Sequence, residues 1–229
     1  DQATAALEAG AADLKLAYRP EPAFGTHTVA MDALVAIVAP DNPTPELSTV
    51  ELASVLAGEV TNWAEIGGPD MPVVLHALAA ETDIQLALTD RLGTKEGATV
   101  LHPDLASLAE AVAKDPWAIA ISGRSAIAPA KRVPLTDSCG FPLLPTSLAI
   151  KAEDYPLALP VLILTPKRRL PLLTREFLDF LRTPAAQDAV AAAGFVDRSA
   201  SRQPMTADGL RLLNAIQGAG EDVTLDDLK

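Results

Sequence analysis

The chain has 229 residues, 49% of them hydrophobic but only 4% aromatic, with a formal net charge of −12. That is enough aliphatic material for one large domain or two small lobes, and the acidic balance excludes a nucleic-acid partner, whose phosphates need a basic face. The single cysteine, Cys139, excludes an internal disulfide and a zinc cluster, and no apolar run approaches the ~20 residues of a membrane-spanning helix.

In chain order, the sequence opens at Asp1 with no signal-peptide pattern, as a mature or cut form would. The pattern predicts a helix over 3–9 stopped by Gly10, then a strand over 13–18 closed by Arg19-Pro20. After a loop with Pro20, Pro22 and Gly25, residues 29–38 form a near-continuous apolar run with Asp32 as the exception, the mark of a buried strand. Asp41-Asn42-Pro43-Thr44-Pro45 is a rigid turn. Ser48 with Glu51 three residues on is a capping-box signature for a helix over 50–57, stopped at Gly58. Asn62-Trp63 and Gly67-Gly68 mark a second turn region, followed by a strand over 72–76. Thr82 and Gly93 bracket a helix over 83–92. Val100 is strand-like, and Asp104 caps a helix over 105–113 with Leu105, Leu108 and Val112 on one face. Further strands are predicted over 117–122, 147–151 and 161–165. An amphipathic helix over 173–181 runs through Phe177, Leu178 and Leu181. A helix over 184–193 opens on Pro184 and ends at Gly194. A polar linker over 199–203, a last helix over 210–216 and an acidic tail over 221–227 complete the chain. Strands alternating with ten-residue helices point to an α/β domain with mostly parallel strands. Two small sheets would leave a cleft between lobes for a ligand.

Several of these segments resemble phosphate-binding proteins of ABC transporters. Asp41-Asn42-Pro43, the helix from Leu52 to Gly58, Thr61-Asn62-Trp63 and Gly67-Gly68 match that family in order and spacing. Asp115-Pro116-Trp117-Ala118-Ile119-Ala120 and the C-terminal Phe180-Leu181, Pro184, Gln187 and Ala193-Gly194-Phe195-Val196 are similar to two further family segments. The resemblance implies a two-lobed periplasmic-binding-protein-like type II fold with the N-terminal part of the first lobe missing. It also implies a periplasmic location, no catalytic residue and no cofactor. Residues 1–35 with 145–198 would form lobe one, 36–144 lobe two, and 199–229 a C-terminal linker and helix. Cys139-Gly140 and Glu153-Asp154-Tyr155-Pro156-Leu157 are similar to relatives joined to an outer-membrane-protein-A-like domain.

The resemblance also implies where an anion would bind, and there the pattern breaks. The family places an Arg a few residues before a Ser-Gly-Thr that opens a helix, where N–H groups and the helix dipole favour an anion. Here the Arg position falls on Leu78 and the triplet on Thr82-Asp83-Ile84, with Glu81 just before it. Two carboxylates would then stand where the anion should sit. Like charges ~4 Å apart in a partly dry cleft repel by several kcal/mol, more than the ~0.3–1 kcal/mol of a helix dipole. A second family segment falls on residues 12–20, where Ala17 and Tyr18 replace small polar residues and Arg19 is kept. Ser122-Gly123-Arg124-Ser125, at a strand end, offers a guanidinium and two hydroxyls. The candidate ligand-binding residues are therefore Tyr18, Arg19, Thr82, Asp83, Ser122, Arg124 and Ser125. His27, His76 and His102 are too scattered for a zinc site, and no Gly-x-Ser-x-Gly elbow or phosphate loop is present. A third family segment lies ahead of Asp1, which would leave sheet edges open to a homodimer. Two readings follow. In one, the chain is a non-enzymatic binding domain with a degraded pocket for phosphate or another oxyanion, held weakly. In the other, it is a cell-envelope scaffold that has lost its ligand and binds an envelope protein.

Overall fold

A computed structural model describes residues 2–93, 97, 100–137, 140–200 and 209. Cys139, residues 201–203 of the expected linker, the expected helix over 210–216 and the acidic tail lie outside them. The chain begins with α1 (Gln2–Glu8) and β1 (Lys15–Ala17), then β2 (Gly25–Val38), the longest strand described. The lone carboxylate of the apolar run does not break β2, whose residues from Ala33 to Val38 are all at most 1% exposed. A two-residue β3 (Leu47–Ser48) leads into α2 (Thr49–Leu56), which starts on the complete capping box read from Ser48 and Glu51. Then come β4 (Val74–Leu78), α3 (Asp83–Leu92), β5 (Val100–His102), α4 (Leu105–Lys114) and β6 (Ala118–Gly123). The short strands β7 (Lys131–Arg132), β8 (Leu135–Thr136) and β9 (Pro142–Leu143) precede α5 (Ser147–Lys151). The chain continues through β10 (Ala158–Thr165), α6 (Leu172–Phe180) and α7 (Pro184–Ala192).

One sheet follows the order β1-β10-β2-β6-β4-β5, with β7 also on β2, and a second sheet follows β3-β8-β9. The expectation of mostly parallel strands fails. Among the described residues, β2 runs antiparallel to β10, β6 and β7, and only the β4–β5, β4–β6 and β3–β8 pairs are parallel. β2 is long enough to change partner along its course. Up to Ala33 it pairs with β10, and from Leu34 onward with β6. Pro160 lies within β10, opposite Met31, on a stretch that β1 does not reach, and such a free flank tolerates a missing N–H.

Two further expectations are corrected. Residues 147–151 form α5 rather than a strand, because Thr146 caps them by accepting the N–H of Ala149. In α6, Leu178 is buried as its periodicity predicts, but Phe177 is 42% exposed, and Leu172, Leu173 and Phe180 are exposed with it.

The segments that carry the family resemblance turn out to be structural. Asn62 caps a 3-10 helix (Trp63–Ile66) by accepting the N–H of Ala64. The fully buried Trp63 donates its indole N–H to the carbonyl of Trp117 at 3.1 Å. A Cβ on Gly68 would come within 2.9 Å of the Trp63 carbonyl, so only glycine fits there. Asn42 donates to the Pro116 carbonyl at 2.8 Å and accepts from Thr44 N–H, while Lys131 donates to the Asn42 carbonyl. The Asp-Asn-Pro and Asp-Pro-Trp segments thus brace each other. Gln187 likewise donates to the carbonyls of Val29 and Leu181 and accepts the N–H of Arg198, tying α7 to β2.

Candidate functional site

Two of the candidate residues, Tyr18 and Ser125, bond to a buried carboxylate outside the candidate set, Asp32, and the charge of a third, Arg124, acts on it. Asp32 interrupts the apolar face of β2 and is 1% exposed. A buried carboxylate is costly unless hydrogen-bonded, and Asp32 has several donors. Its Oδ1 accepts from Ala33 N–H at 2.8 Å and its Oδ2 from the Ser125 hydroxyl at 2.9 Å. The Ser125 N–H and the Tyr18 hydroxyl also donate to it. Burial raises the Asp32 pKa above the ordinary carboxylate range, opposed by these donors and by the charge of Arg124. Burial, followed by the charges of Asp32 and Asp83, pushes the Tyr18 phenol well above its usual value. Gly123 is required here, since a Cβ would come within 2.8 Å of Asp32 Oδ2.

The remaining candidates are largely engaged by the protein itself. The Ser122 hydroxyl is completely buried and donates to the Ala126 carbonyl at 2.8 Å. Arg124 donates to the Gly194 carbonyl at 2.7 Å. Arg19 pairs with Asp90 on α3 at 2.7 Å. Thr82 occupies the N-cap of α3 but makes no side-chain cap bond, and its Oγ1 is buried without a partner. Asp83, in the first turn of α3, turns its Oδ2 to the backbone N–H of Tyr18. Glu81, expected beside the anion position, is exposed. The second carboxylate of the site is therefore Asp32. The sequence did carry a signal for it, in that an acid within a strand otherwise too apolar to face solvent needs donors.

A second polar cluster lies apart from this site. The His76 Nδ1 and His102 Nε2 atoms are 2.9 Å apart, so one ring must donate to the other. The Asp115 carboxylate is 3.9 Å from His76 Nε2. Burial and the neighbouring His102 lower the His76 pKa, opposed by Asp115. Among the described residues no group of three or more His, Cys, Asp or Glu side chains could hold a metal ion.

The sequence matches the PBP superfamily domain over residues 1–185. It is 23% identical over 181 residues to the phosphate-binding protein PstS of Borreliella burgdorferi, covering 73% of this chain and 63% of that protein. The fold superposes on a putative phosphate ABC transporter substrate-binding protein with bound phosphate from Clostridium perfringens. The TM-score is 0.78 at 20% identity, covering 86% of this chain and 84% of that one. An ABC-type phosphate transport receptor from Vibrio cholerae gives a TM-score of 0.68 at 22% identity, covering 85% and 84%. By name these relatives are binders and receptors, in keeping with a non-enzymatic domain. The implied α/β periplasmic-binding-protein type II fold is thus the fold of this chain, which belongs to the family of PBP superfamily domains.

Proposed function

We propose that this is a periplasmic solute-binding domain of the phosphate-binding type whose oxyanion pocket no longer grips phosphate. The observation that carries this reading is the charge balance of the site. Asp32 and Asp83 bring two carboxylates to it, while Arg124 and Arg19 spend donors on the Gly194 carbonyl and on Asp90. A free oxyanion would meet like charges in a partly desolvated cleft, a repulsion of several kcal/mol at ~4 Å. The division into lobe one (1–35 with 145–198) and lobe two (36–144) is supported by the change of partner along β2 between Ala33 and Leu34. The site lies where these parts meet. Calorimetric titration with phosphate, sulfate and small organic anions tests the reading. Heat that saturates at micromolar phosphate would overturn it.

A second reading, a cell-envelope scaffold that binds a protein, is favoured by the exposed apolar residues Leu172, Leu173, Phe177 and Phe180 of α6 and Leu16 of the sheet-edge strand β1. Patches of this kind mark interaction surfaces, and the open edge of β1 suits a homodimer or a partner strand. Similarity around Glu153-Asp154-Tyr155-Pro156-Leu157 to relatives joined to an outer-membrane-protein-A-like domain supports an envelope setting. Size-exclusion chromatography with light scattering separates these outcomes: a dimer supports the scaffold, and a monomer at all concentrations removes the homodimer form of it.

A further inference from the structure

We infer that Asp83 is a tethered internal anion that sets the specificity of the site by filling it, and that with Asp90 it latches α3 onto the segment after β1 in the absence of any solute. The inference rests on the proposed loss of phosphate binding and assigns its cause to one side chain. Asp83 is in the first turn of α3, where a negative charge gains from unpaired N–H groups and the helix dipole. Its carboxylate does not fold back to cap α3. It reaches the N–H of Tyr18, on a segment remote in the chain. Thr82 Oγ1, buried beside it, is left without a partner and so is not the group that satisfies this helix end.

The contact joins parts that a flat sheet would hold apart. Tyr18 follows β1, the first strand in the sheet order, and α3 follows β4, four strands away. At ~4.8 Å per strand that is about 19 Å, so the contact does not follow from strand pairing but bridges the sheet. A second contact fixes the angle. Asp90 is seven residues beyond Asp83, about 10 Å along the same face of α3, and it pairs with Arg19, the residue after Tyr18. Two adjacent residues of one part thus grip α3 at points two turns apart. A free anion would have to displace Asp83, whose effective concentration at Tyr18 N–H is that of an intramolecular group.

The test is hydrogen exchange at the Tyr18 amide together with small-angle X-ray scattering, on the wild type and on Asp83→Ala, Asp83→Asn and Asp83→Ala/Asp90→Ala. In the wild type, without solute, the Tyr18 amide should exchange as slowly as amides inside β10, although it lies beyond the end of β1. Asp83→Ala should speed its exchange at least tenfold. Asp83→Asn, which keeps an acceptor, should restore part of the protection. The double variant should have a larger radius of gyration at an unchanged helix content. An unprotected Tyr18 amide in the wild type, or the same protection and radius in Asp83→Ala, overturns the latch even if phosphate fails to bind. Tight phosphate binding by the wild type would instead sink the functional reading on which the latch rests.

Discussion

Replacing Asp32 by alanine removes the acceptor around which the site is built. Two of its donors, the N–H groups of Ala33 and Ser125, belong to the backbone and cannot turn away, whereas the hydroxyls of Ser125 and Tyr18 can rotate toward other acceptors. Each orphaned buried N–H costs about 1–3 kcal/mol. Relief of the desolvated charge offsets part of this, leaving a net loss of about 2–4 kcal/mol. For a chain of this size that corresponds to a fall in Tm of about 4–16 °C. The loss depends on pH in a defined direction. Because the folded-state pKa of Asp32 is raised above its ordinary value of 3.8, its contribution is fully present below that value and is lost as pH rises through the folded value. The gap between wild type and Asp32→Ala should therefore be wider at pH 4 than at pH 8. Urea unfolding followed by the fluorescence of Trp63 and Trp117 measures both quantities. A variant as stable as the wild type at both pH values would refute the reasoning, since the donors would then be satisfied without the carboxylate.

The buried, low-pKa His76 gives the opposite slope. Its stabilising contribution is present above the ordinary histidine value of about 6.5 and is lost as pH falls toward the depressed folded value, so His76→Gln should flatten the stability profile between pH 7 and pH 5 in urea titrations. Gly123→Ala should destabilise by about 1–3 kcal/mol because its Cβ would press on Asp32 Oδ2, and thermal unfolding would register it. Trp63→Ala should cost about 3–5 kcal/mol, because it empties a fully buried site and removes the indole hydrogen bond to the Trp117 carbonyl, while leaving anion titrations unchanged. Arg19→Ala should change global stability by less than about 1 kcal/mol, because both partners of its ion pair are well exposed.

What the sequence made legible was local chemistry. The Ser48–Glu51 capping box, the Asp104 cap and the Gly93 stop announce helices in the same few residues that form them, and the structure places α2, α4 and α3 there. What it hid was decided at a distance. Residues 147–151 alternate well enough for a strand, yet the hydroxyl of Thr146 opens a helix. The direction and partners of β2, which pairs with one strand up to Ala33 and another after it, are not encoded by periodicity. In the site, the acidity at Asp83 could be read in sequence, but its contact with Tyr18 joins residues 65 apart in the chain. Asp32 was visible as a single irregular letter, and only its donors from residues 18, 33 and 125 give it a role.

The most direct test of the central claim is calorimetric titration of phosphate into the wild-type protein and into Asp83→Ala at low ionic strength. The account predicts no saturable heat for the wild type up to millimolar phosphate, and for the variant a weaker exclusion of the anion. Saturable, micromolar binding by the wild type, lost rather than gained in Asp83→Ala, would contradict it.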